Sequence, residues 1–199
     1  MTEKAGISGT ILLLLSAFML TGVAPAAEPG QLEVRNYTTP GNLESPHDIG
    51  CIPLSAASPK YNPVDLYRGA KLCLNSGRYQ EAFALIGLAN AYGRFDMLRV
   101  ADRTAHQAVT MARMEVFRDT PDAVKSELSA VVAKNSDNAE KRADLCRELR
   151  RLGHPTYYPR YMVQHGMAAF MQRGGEELVG AFDKNKAWSD VLNTYAKCA

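Results

Sequence analysis

The chain has 199 residues, with 23 Lys and Arg against 21 Asp and Glu, a formal net charge of +2. That balance argues against the clearly basic face that nucleic-acid binding usually needs, and mixed charges along helices read as a solvated surface. The chain is long enough to bury a core of its own without leaning on cross-links.

Residues 1–27 follow the order of a secretory signal peptide. Lys4 is a weak basic n-region, Ile11–Leu20 is apolar, and Ala24–Ala27 offers a cleavage site. The apolar run is too short to cross ~30 Å of hydrocarbon. A cleaved leader is therefore expected, with a periplasmic or secreted mature chain that inserts in no membrane. About 170 residues then remain, the size of one domain.

Residues 28–60 carry Pro40, Pro46, Pro53 and Pro59 with glycines between them. Proline fixes φ and removes a donor, so this segment is expected to be an irregular arm. Gln31–Tyr37 is the one strand candidate, and no mate for it is evident. Residues 61–199 are expected to form a single helical domain.

Helix signals then follow in series. Asn62 is an N-cap, Pro63 suits the first helical position, and Asn75-Ser76-Gly77 is a stop. Ala82, Leu85, Ile86 and Ala89 mark a second helix, expected to break at Tyr92-Gly93. Arg94–Phe117 reads as one long third helix with an alanine stripe. Thr120-Pro121-Asp122 opens a fourth, to about Lys134, and Ala139–Leu152 is a fifth, closed by Gly153. Pro159–Arg173 and Lys186–Cys198 are read as two more, with a short helix or turn at Gly174–Glu177. The expected fold is all-α, about seven antiparallel helices in a layered hairpin array.

Within it, Leu66–Ala89 resembles one tetratricopeptide-type hairpin. Ala70, Gly77, Tyr79, Ala82 and Ala89 stand at that family's small, turn and aromatic positions. No second copy follows: Thr104 and Met111 stand where Ala70 and Gly77 would recur. The resemblance implies helices that nest closely and, in that family, a concave face that binds peptides or proteins.

Cys51, Cys73, Cys146 and Cys198 are even in number and, after export, meet an oxidising compartment. Four cysteines allow three pairings. The favoured one is Cys51–Cys73, tying the arm to the first helix, with Cys146–Cys198, tying down the C-terminus. No C-x-x-C pair occurs and the spacings are wide, so no metal is expected, and no cofactor either.

No nucleophile, zinc or phosphate-loop motif is present. Asp102 and His106, four apart, could form a base and its orienter, with His165 as a further candidate. A charged ridge holds Arg99, Asp102 and Arg103. Gly153–Met167 is rich in tyrosine, and Tyr157, Tyr158, Arg160 and Tyr161 have the composition of an interface hot spot. These seven residues are the candidate partner-binding set. The favoured reading is an exported non-enzymatic protein that binds a protein of the envelope or a secreted one, as an inhibitor or immunity protein would. The alternatives are a small envelope enzyme acting on cell-wall or glycan material, and a structural envelope component.

Overall fold

A computed structural model describes residues 39–136 and 138–198. The expected leader, the strand candidate Gln31–Tyr37 and the start of the expected arm lie outside the described residues. Among those described, the fold is all-α, with eight α-helices, three short helical turns and one isolated bridge, Val100 with Leu178.

Helix α1 (Pro63–Asn75) starts as its sequence dictates. Asn62 Oδ1 accepts from the N–H groups of Val64 and Asp65 at 2.8 and 3.0 Å. Asp65 Oδ2 accepts from Asn62 N in return, at 3.0 Å. This reciprocal box satisfies donors that a helix start leaves open. Gly77, at φ +70°, reverses the chain, and α2 (Tyr79–Arg99) packs back along α1.

The expected break at Tyr92-Gly93 does not occur; α2 runs through both residues. Gly93 provides closeness, not a turn. A Cβ there would lie 2.7 Å from Val109 Cγ1, on α3 (Ala108–Phe117). The single helix expected over Arg94–Phe117 is two. After Arg99 the backbone turns extended at Val100 and pairs with residues 177–179. Ala101 N donates to Glu177 O at 3.0 Å, and Val179 N donates to Arg99 O at 2.8 Å. Asp102 then caps a 3₁₀ turn, Arg103–Gln107, that leads into α3. A pairing partner more than seventy residues away thus ends a helix whose local pattern would continue.

Helices α4 (Asp122–Ser136) and α5 (Ala139–Leu152) follow their signals, α5 closing at Gly153 with φ +72°. The helix expected over Pro159–Arg173 is instead α6 (Arg160–Val163) and α7 (Met167–Phe170). Gly174–Glu177 forms no helix. The last helix is α8 (Lys184–Asp190), capped by Asp183, and it runs into a π turn, Val191–Tyr195.

The core surrounds α2, which is buried over most of its circumference, as a helix hydrophobic on several sides should be. Tyr67, Leu85, Tyr92, Phe95, Tyr161 and Trp188 are among its large buried side chains. Both expected disulfides are formed, Cys51–Cys73 and Cys146–Cys198. The first closes a strap. Arm residues cross α1 over Asp65, Gly69 and Cys73, four residues apart on one face. A Cβ on Gly69 would sit 2.8 Å from Gly50 O, so only glycine admits the arm there.

Gly93→Ala is expected to lower stability by about 1–3 kcal/mol through overpacking. Gly87→Ala, whose Cβ would meet Leu145 no closer than 3.7 Å, is expected to stabilise α2 by about 0.5–1 kcal/mol; urea midpoints of the two variants check this contrast. Cys146→Ser should cost about 3–4 kcal/mol by loop entropy and leave the fold intact. Equal melting midpoints for it and the parent protein would refute that.

Candidate functional site

Three of the seven candidate residues meet at one buried carboxylate. Asp96, on α2, has no exposure. Tyr157 and Tyr161 donate their hydroxyls to its Oδ2 at 2.7 and 2.8 Å. Arg99 Nε donates to Oδ1 at 2.8 Å. Arg99 Nη2 lies 2.7 Å from the same oxygen, but without hydrogen-bond alignment. The guanidinium also sits over the rings of Phe95 and Tyr157, 5.2 Å from each centroid.

The electrostatics follow from this packing. Burial pushes the Asp96 carboxyl up; Arg99 and the two phenols oppose that, and the net direction is up. Burial, then the Asp96 charge, holds both Tyr157 and Tyr161 well above the usual phenol value. Both therefore stay protonated and act as donors. Arg99 and Tyr161 are interior groups, and Tyr157 is partly buried with its hydroxyl turned inward. Their role in the structure is to pin residues 157–161 onto α2.

Asp102 does related work one turn on. It accepts from Thr104 N and Oγ1 at 2.9 and 2.6 Å and from Ala168 N at 2.9 Å. Thr104 Oγ1 in turn accepts from Met167 N at 2.9 Å. This pair caps the start of α7. A side chain on Gly166 would overlap the Asp102 carboxylate, so only glycine fits there, and the extended backbone at Gly166 separates α6 from α7. Burial raises the Asp102 carboxyl, but the hydrogen bonds from Thr104 and Ala168 outweigh it, and the net direction is down.

The other candidates are at the surface. Arg103 is exposed. Arg160 lies against Gly41 and 3.8 Å from Glu44 Oε1. Tyr158, 49% exposed, donates its hydroxyl to Glu177, and burial of that hydroxyl together with this bond pushes it up to about 12. Asp102, His106 and His165 are each engaged elsewhere. His106 Nε2 meets Val100 O at 3.0 Å, and His165 Nδ1 meets Asn42 Oδ1 at 2.8 Å. Burial lowers His165 below the usual imidazole value. Among the described residues no three His, Cys, Asp or Glu side chains are grouped to hold a metal ion. No described helix is long and apolar enough to cross a membrane.

Comparison with known families, curated proteins and solved structures finds no match. The reading of this chain therefore rests on its own geometry.

Two clefts flank the pairing of residues 99–101 with 177–179. One, about 300 Å³, is lined by Val100, Asp102, Ala168, Arg173 and Glu177. The other, about 350 Å³, is lined by Arg99, His154, Tyr158, Val179 and Phe182. Exposed Met167, Met171 and Val179 stand on the same segment. Composition alone does not distinguish these apolar residues from core residues. The local signal for them is Gly166, at which the helix is interrupted, leaving α7 too short to bury a face.

A second polar assembly has no local signature in the sequence. The buried Asp65 carboxylate collects Ser45 Oγ at 2.7 Å, His47 N at 3.1 Å and His47 Nδ1 at 2.9 Å. These partners are 18 to 20 residues apart in the chain, and nothing local links them.

Asp96→Asn leaves Arg99 buried without a counter-charge. It is expected to lower stability by about 3–5 kcal/mol, read from urea unfolding. A loss below about 1 kcal/mol, the usual worth of an exposed pair, would show that Arg99 is solvated.

Proposed function

We propose that this chain is an exported, non-enzymatic helical protein that binds another protein through the segment 158–179. The two disulfides point to an oxidising compartment, in keeping with the leader pattern of residues 1–27. A periplasmic inhibitor or immunity protein for a secreted toxin is the form that suits these features best.

One observation carries the reading. Tyr158, Met167, Met171 and Val179, between 43% and 49% exposed, stand on a segment that interior hydrogen bonds hold in place. Large apolar side chains left on the surface of a rigid segment are what a partner site requires. Tyrosine, methionine and arginine are enriched in such sites, and Arg103, Arg160 and Arg173 supply the charged surroundings. The tetratricopeptide-like hairpin of α1 and α2 supports the same reading, since that architecture serves protein binding elsewhere.

The test is capture from envelope and secreted fractions with the oxidised protein as bait. A stoichiometric partner is expected. The double substitution Tyr158→Ala and Met171→Asp should weaken it at least about a hundredfold, the loss of two hot-spot anchors, with an unchanged circular dichroism spectrum. Undiminished capture by that variant would move the site elsewhere, and no capture at any salt would remove the reading.

A further inference from the structure

A cleft of about 530 Å³ opens between the arm, α1 and α3, on ground that the partner reading does not use. Its floor is α1, which presents Arg68 and Lys71 one turn apart. Arg68 is exposed, and among the described residues no carboxylate lies in ion-pair contact with either cation. Lys71 Nζ donates to a neutral group, Thr120 Oγ1, at 2.8 Å, which leaves two of its three donors open.

His47 forms part of the arm-side wall, and its ring is held from two directions. Nδ1 is 2.9 Å from Asp65 Oδ2, and the ring is tilted against Tyr61 with centroids 5.4 Å apart. Asp65 is fully buried and accepts from Ser45 Oγ, His47 N and Asn62 N. Among so many donors it is an acceptor, so Nδ1 carries the proton that faces it. Nε2 is then the acceptor nitrogen of the neutral ring. An imidazole fixed in tautomer and direction by a buried carboxylate is the arrangement that ligand-binding and proton-accepting histidines use. The arm cannot slide, because Gly69 and the Cys51–Cys73 disulfide set its register.

The two remaining charged groups, Asp48 on the arm and Glu115 on α3, face the same cleft. They cancel the charge of Arg68 and Lys71, so a bare anion gains little there. The full set of groups asks for more. Arg68 and Lys71 need an oxyanion, while Asp48 and Glu115, joined by His47 Nε2 in the neutral ring, need hydrogen-bond donors.

We infer that this cleft binds a small polar ligand with an oxyanion at one end and hydroxyl or ammonium donors at the other. A phosphorylated sugar and the zwitterion of a short peptide share that chemistry. Four probes separate the cases, followed at constant pH by the NMR signals of the His47 ring. Glucose 6-phosphate and glycylglycine carry both ends and differ in source; glucose and inorganic phosphate carry one end each.

One of the two bifunctional probes should bind saturably, at least about tenfold more tightly than glucose and phosphate. Arg68→Ala should weaken it about tenfold or more with no change in melting temperature, because Arg68 is exposed and makes no ion pair among the described residues. Glu115→Gln should weaken it as well. Binding of glucose or phosphate as tight as that of the bifunctional probes would overturn the inference. So would indifference to Arg68→Ala, or no saturable shift with any of the four. None of these results bears on residues 158–179, so the partner reading stands or falls separately.

Discussion

A carboxylate without access to water, Asp96, is the constraint on which the C-terminal third of this fold depends. An ionised side chain in the interior is tolerable only when other groups replace its hydration. One replacement, Arg99, comes from the same helix three residues on. The other two, Tyr157 and Tyr161, come from more than sixty residues away. The segment beyond Gly153 must therefore return to the end of α2. Once it is there, residues 177–179 lie beside Arg99 and Ala101, and the backbone pairing that ends α2 follows.

The N-terminal side is organised in the same way around Asp65. That carboxylate completes the cap of α1 and gathers Ser45 and His47 from the arm. Glycine at 69 removes the side chain that would hold the arm away, and the disulfide at Cys73 closes the crossing. A proline-rich stretch with no repeating backbone bonds of its own thus becomes ordered through α1. Each buried aspartate holds an irregular segment in place: Asp65 the arm beside the Arg68–Lys71 cleft, Asp96 the residues 157–161 that carry exposed Tyr158. Rigid surroundings of this kind reduce the ordering cost of binding.

The tyrosines and arginines of residues 99–103 and 157–161 have two separate uses in the structure. Tyrosine and arginine are favoured at protein interfaces because they combine apolar bulk with strong donors. The same combination suits the solvation of a buried carboxylate. Arg99, Tyr157 and Tyr161 serve that interior purpose, whereas Arg103, Tyr158 and Arg160 reach the surface. Composition cannot separate the two uses, because both select the same side chains. Asp102 offered a better clue: an aspartate two residues before Thr104 is an N-cap arrangement, and capping is what it does.

By itself the sequence determined the all-α class and the starts of α1, α4 and α5, and it favoured, among three possible pairings, the one the cysteines adopt. Those features rest on signals that act within a turn or two: an N-cap, a proline, a glycine stop, a cysteine facing an apolar stripe. Tertiary structure alone decided where α2 ends, why Gly93 is helical, why α6 and α7 are separate, and that His47 is held by Asp65. Each of these depends on a partner distant in the chain, from 16 residues for Gly93 and Val109 to 80 for Arg99 and Val179. Local periodicity reports which face of a helix is apolar; it carries no information on which distant donor will reach a buried carboxylate.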